Sequence, residues 1–155
     1  MMINCSNGRM KGYWYREGYV RTTSAEYTLK QSSGGVHLTN DAVQKFLPDY
    51  GKFEKGNKIF YEDLDAYIKK QDAKFDFYKA IYPKMKAIAT DIIRASALNI
   101  DPVRRVNNFE IFGLDFMVDA NYEVWLIEVN TNPCLETTCP VLAKIIPQFI
   151  ESTLQ

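Results

Sequence analysis

The sequence predicts an α+β fold, an antiparallel sheet with helices packed against it. Three observations predict it. Residues 109–130 alternate apolar and polar on both sides of a turn-type Asp119-Ala120-Asn121-Tyr122, and residues 77–98 place apolar side chains every third or fourth position. The chain also has 155 residues of which 46% are hydrophobic, the size and content of one compact domain, which excludes a disordered chain.

Taken in order, residues 9–22 (RMKGYWYREGYVRT) are two aromatic-rich runs around Glu17-Gly18 and predict a β-hairpin, because Gly tolerates the positive φ of a tight turn. Gln31 to Gly35 reads as a flexible loop. His37-Leu38-Thr39-Asn40-Asp41 then offers several N-caps for a short helix over 42–46, which Pro48 closes. Residues 51–58 read as a second loop leading into a helix over 61–71, with Leu64, Tyr67 and Ile68 on one face. A long helix over 77–98 buries Ile81, Met85, Ile88, Ile92, Ala95 and Leu98, with Pro83 tolerable only near its first turn. Residues 99–108 form a polar linker. Residues 140–150 predict a C-terminal amphipathic helix kinked at Pro147. No repeat, low-complexity tract or composition shift marks an internal boundary, so 1–155 reads as a single unit.

Residues 109–130 carry the most information. A two- or four-residue turn centred on Ala120-Asn121 makes paired residue numbers sum to 241. Phe112, Leu114, Phe116 and Val118 then share a core face with Trp125, Ile127 and Val129. The other face carries Gly113, Asp115, Met117, Leu126, Glu128 and Asn130. In this register Asp115 sits opposite Leu126 and diagonal to Glu128, and Gly113 faces Glu128, leaving the space above it open.

Composition narrows the function. No run approaches the roughly 18 to 20 apolar residues of a bilayer span, and the Met1-Met2-Ile3-Asn4 start lacks the build of a signal peptide, which predicts a soluble intracellular chain without a membrane partner. Cys5, Cys134 and Cys139 are an odd number without ligand-pair spacing, and His37 is the single histidine, which excludes a disulfide scaffold and a structural zinc. The 19 basic and 19 acidic side chains cancel, but unevenly. Residues 1–40 carry five against two, a net +3, and residues 106–155 carry one against seven, a net −6. That pattern is either ordinary surface charge or an acidic ligand set for a cation beside basic segments that attract an acidic partner.

Glu128 and Asn130 are two apart on a strand, so they point to one side about 6.6 to 6.8 Å apart at the backbone. On spacing alone they are either the solvent face of a half-buried sheet or part of a site. Together they interrupt Leu126-Ile127-Glu128-Val129-Asn130, a strand that otherwise looks buried, and burying them without a partner costs several kcal/mol. A cation is the economical compensation. With Asp115 they offer two carboxylates and an amide carbonyl, hard oxygen donors that favour Mg²⁺ held together with substrate phosphates.

The runs FEIFGLDFMVD and WLIEVNTNPCLE, preceded by YREGYVRT and HLTN in that order, make the chain resemble the tubulin tyrosine ligase and ligase-like family from about Asn7 to Leu135. The resemblance implies the C-terminal part of an ATP-grasp catalytic unit that adds an amino acid to tubulin C-terminal tails, with ATP and Mg²⁺ as cofactors. Asp115, Glu128 and Asn130 match the family's magnesium and ATP-phosphate ligands. Arg21 matches an arginine facing the γ-phosphate and the carboxylate undergoing activation, and so counts as catalytic and substrate-binding. His37, Thr39 and Asn40 match the HLTN element beside the acceptor tail, although Thr39 or Asn40 could equally cap a helix.

Further expectations follow from the resemblance. The partners are tubulin tails or microtubules and a free amino acid, with no nucleic acid. The location is the cytoplasm and cytoskeleton, including the cilium axoneme or basal body. Glutamate is the favoured amino acid, ahead of glycine or tyrosine. Arg9, Lys11, Arg16, Arg21 and the lysines at 52, 55 and 58 would either steer a glutamate-rich tail or form an ordinary solvated face. The family's upstream nucleotide lid has no counterpart here, so the chain reads as part of a larger enzyme, with a noncatalytic tail-binding module as the alternative.

Overall fold

The computed structural model describes residues 2–6, 9–30, 34–103, 105 and 107–155. Helices and strands are mixed, as expected, but the strands form three small antiparallel sheets instead of one. The chain divides into two compact units, 1–16 with 72–134 and 17–71 with 135–155.

In the first unit, β1 (Met2–Ser6) pairs with β2 (Arg9–Tyr13) on one side and with β5 (Asn108–Ile111) on the other. The hairpin expected over 9–22 therefore does not form. Its first half pairs backwards with β1, where Ser6 opposes Arg9. The long helix starts later than expected: α4 (Phe77–Ala80) ends at Ile81, and α5 (Tyr82–Ile100) begins with Pro83 in its first turn, where no backbone donor is needed.

The buried stripe of α5 runs Met85, Ala89, and then partly Ile93 and Ile100, while Leu98 is 78% exposed. Ala95 is exposed as well, because a true 3.6-residue period drifts off the predicted positions. Gly12 lets α5 lie close on β2, since a Cβ there would collide with the Ile93 side chain. Ile3 and Phe112 form the centre of this core, with Met10, Ile93, Ile100, Leu114 and Val129 around them. Phe112 also interrupts the expected strand over 109–118, separating β5 from β6 (Gly113–Val118), which pairs with β7 (Val124–Asn130). Trp14 meets Tyr82 edge-on and Phe116 at a tilt, and donates its indole N–H to the Tyr82 hydroxyl at 3.0 Å.

In the second unit β3 (Tyr19–Arg21) pairs with β4 (Lys58–Phe60), a strand that falls at the end of the loop read over 51–58. Residues 31–33 of the expected flexible loop lie outside the described residues, and Gly34–His37 form a short helix α1. Then come α2 (Asp41–Gln44), α3 (Tyr61–Lys69) and α6 (Pro140–Leu154). Leu64 and Ile68 of α3 are half-buried as expected, whereas Tyr67 is exposed. Helix α6 runs through Pro147 and buries Val141, Leu142, Ile145 and Phe149. No helix of the described residues is long and apolar enough to cross a membrane.

Candidate functional site

The β6–β7 hairpin builds the acidic site, and its turn decides the register. Asp119 accepts hydrogen bonds on Oδ1 from the amides of Asn121 (2.8 Å) and Glu123 (3.0 Å), and on Oδ2 from the Trp125 indole (3.2 Å). Those donors, the Glu123 amide first, hold its carboxyl below the ordinary range. Tyr122 takes a left-handed φ of 60° to close the loop. The loop is thus residues 119–123, one longer than the four-residue alternative, and Val118 opposes Val124 so that paired numbers sum to 242.

A β-bulge follows. Past Phe116↔Leu126 the sum becomes 243, with Asp115 opposite Glu128, Leu114 opposite Val129 and Gly113 opposite Asn130. Ile127 is the extra residue of the bulge, which puts it on the same side as Glu128. Burial records the consequence: Val124, Leu126 and Val129 are half-buried, whereas Trp125, Ile127 and Glu128 are exposed. The longer loop, which shifts the register by one before the bulge is reached, corrects two expectations. Trp125 and Ile127, at 60% and 57% exposed, do not join the core face, and Leu126 takes their place.

For the site the bulge has the opposite effect. Asp115 lies directly across from Glu128, where Cα atoms are about 4.5 to 5.5 Å apart, closer than the expected diagonal. Asn130 Nδ2 donates to Glu128 Oε1 at 3.2 Å. Gly113 faces Asn130 and not Glu128, and the space above it is taken by Pro133, whose Cβ lies 3.0 Å from where a Cβ on Gly113 would stand. Asp115, Glu128 and Asn130 are therefore gathered on one face of one hairpin. Among the described residues no group of three His, Cys, Asp or Glu side chains gathers for a metal, so a cation here depends on the Asn130 carbonyl as the third donor. Two carboxylates and an amide oxygen fit a hard divalent cation better than zinc.

The remaining candidates lie in the second unit. Arg21 ends β3 opposite Lys58, and Thr22 continues the pairing by donating its amide to Asn57 O at 3.0 Å. His37 ends α1 and meets the Tyr27 ring edge-on at 5.5 Å. Asn40 is the N-cap of α2, its Oδ1 accepting from the Ala42 amide at 2.9 Å, so the capping reading holds for this residue, while Thr39 is half-buried in the preceding loop. Lys58 is 4% exposed and bound to Asp41 at 2.5 Å, which removes it from the steering surface. Lys52 is paired with Asp49 at 3.0 Å. Burial and the adjacent Asp41 carboxylate push the Tyr50 phenol above its ordinary value.

Sequence reasoning missed Gln44. It is fully buried at 0% exposure while Phe46, two residues on, is 77% exposed, an inversion no hydropathy pattern signals.

A model of the tubulin-tyrosine ligase family matches residues 6–155. The chain belongs to the tubulin-tyrosine ligase family. It is 36% identical over 150 residues to a tubulin glycylase 3A of Drosophila melanogaster, covering 92% of this chain and 14% of that protein. It is 29% identical over 147 residues to the protein monoglycylase TTLL8 of Homo sapiens, covering 92% of this chain and 17% of that protein. It is 31% identical over 160 residues to the inactive polyglycylase TTLL10 of Homo sapiens, covering 99% and 23%. This family member thus spans between 14% and 23% of the length of these relatives. Their names speak of glycine, and the expectation of glutamate finds no support among them.

Proposed function

We propose that this chain is part of a tubulin-modifying ligase that joins glycine to glutamate side chains of tubulin tails at the expense of ATP. The observation that carries the reading is the cross-strand pair Asp115 and Glu128 with Asn130 beside it, on a chain of this family. Glycine replaces glutamate as the added amino acid because the relatives named above are glycylases. A cytoskeletal location follows from tubulin as the substrate.

In this mechanism Asp115, Glu128 and Asn130 would hold Mg²⁺, which would supply charge neutralisation at the ATP phosphates. A tail carboxylate attacks the γ-phosphorus, the bond to the bridging oxygen of ADP breaks, and an acyl phosphate forms. Arg21 stabilises the charge that develops between carboxylate and phosphate through its guanidinium. The amine of glycine then attacks the acyl carbon. Phosphate leaves, the amine gives up a proton, and an amide remains. His37 and Thr39 contact the acceptor tail, and Asn40 acts there through the loop it caps.

A second reading, a noncatalytic tail-binding module, is favoured by one finding, the similarity to a relative named inactive. The test is glycine incorporation into glutamate-rich tail peptides by the full-length chain and by Glu128→Gln. Loss of incorporation with retained folding and peptide binding supports the ligase. Peptide binding with no incorporation by the unaltered chain supports the module.

A further inference from the structure

We propose that Gln44 is a positioning residue, which fixes the segment carrying His37 and Thr39 against the strand end carrying Arg21; the inference rests on the function proposed above. Its amide divides the work between its two ends. Oε1 accepts from the Ser24 amide (2.8 Å), the Ser24 hydroxyl (2.8 Å) and Asn57 Nδ2 (3.3 Å). Nε2 donates to Gly35 O (3.1 Å) and Leu38 O (2.5 Å).

The first set of partners belongs to the end of the β3–β4 ladder. Ser24 follows Arg21 by three residues, and Asn57 precedes Lys58, the residue opposite Arg21. Asn57 is itself locked there at a left-handed φ of 49°, donating Nδ2 to Ser24 Oγ at 2.9 Å and accepting the Gly51 amide on Oδ1 at 2.8 Å. The second set, Gly35 O and Leu38 O, brackets His37 and immediately precedes Thr39. One side chain therefore ties the two segments that carry the proposed acceptor contacts.

Packing alone does not call for an amide at this position. A Leu or Met of similar volume would fill the space with no buried polar group of its own to satisfy. A fully satisfied polar network instead specifies one arrangement of the segments it joins. Misplacement of a substrate-positioning group by about 1 Å can cost up to about a hundredfold in rate.

The test uses the full-length chain with a glutamate-rich acceptor peptide, ATP and glycine. Gln44→Glu keeps the acceptor end of the side chain and removes the Nε2 donors. Ser24→Ala removes the hydroxyl's hydrogen bond to Oε1 and the one it accepts from Asn57 Nδ2, and introduces no charge. The expected result is a rise in acceptor KM of about tenfold for Gln44→Glu and about threefold for Ser24→Ala, with the KM for ATP changed by less than about twofold. Acceptor KM unchanged in a folded Gln44→Glu protein overturns the inference, as does an equal rise in both constants. Should melting by circular dichroism show Gln44→Glu unfolded, Ser24→Ala decides by the same criterion. Arg21→Ala tests the underlying reading separately: wild-type acceptor KM and turnover in that variant overturn the proposed function. An effect of Arg21→Ala without one of Gln44→Glu or Ser24→Ala overturns the positioning role alone.

Discussion

Asp115 and Glu128 face each other directly across the β6–β7 ladder, two like charges at one cross-strand position. Such a pair is destabilising by roughly 0.2 to 1 kcal/mol when nothing sits between the carboxylates. A bound divalent cation reverses the sign, because ligand binding to the folded state alone adds stability.

The pair predicts opposite responses from one substitution. In EDTA, Glu128→Gln melts at or slightly above the wild-type temperature, since the repulsion is gone. On addition of Mg²⁺ the wild type gains stability and the variant gains much less. Thermal melts with and without Mg²⁺ check this, and parallel gains in both proteins would remove Glu128 from the ligand set.

The register that the five-residue loop imposes gives a second prediction. Paired numbers summing to 241 would put Ile127 in the core and Leu126 outside, whereas the sum of 242 next to the loop reverses them, as the burial pattern shows. Leu126→Ala should therefore cost about 1 to 2 kcal/mol, below the 2 to 5 of a fully buried site, and Ile127→Ala less than about 0.5 kcal/mol. Urea unfolding of the two variants orders them; a larger cost at Ile127 would refute this register.

Lys58 and Asp41 are unequally buried, with side chains 3% and 39% exposed. Removing the carboxylate leaves a buried ammonium held by Gly56 O at 3.0 Å. Asp41→Ala is expected to cost about 2 to 3 kcal/mol, at the low end for buried pairs because water reaches Asp41. Adding Lys58→Met to that variant should restore most of the loss. Denaturant midpoints of the single and double variants measure it, and additive losses would show that the two charges are not coupled.

Asp119 sets a pH dependence. Its carboxyl is held below the ordinary range by the Glu123 and Asn121 amides and the Trp125 indole. A depressed folded-state value means that the contribution is complete above the unfolded value of about 3.9 and is lost as pH falls through the folded one. Melting temperatures of wild type and Asp119→Asn should differ at pH 7 and converge as the pH falls through the lowered folded-state value. A constant difference across that range would contradict the role of the charge.

The sequence by itself determined most of the local structure of this protein. Glu128 and Asn130 could be placed on one face because side chains alternate along a strand whatever its partner is. The Asn40 cap likewise marked α2, since a cap acts within a single turn. Asp115 joins that face only because the bulge offsets the extra loop residue. Only the tertiary structure decided the pairing. The run over 9–22 is divided between β1 and β4 as partners, the five-residue loop exchanges Leu126 for Trp125 and Ile127, and the Ile127 bulge brings Glu128 opposite Asp115, because register depends on loop length and on contacts distant in sequence. The same holds for Gln44: a polar side chain becomes buried when five partners from Ser24, Gly35, Leu38 and Asn57 converge on it, and no local pattern records that convergence.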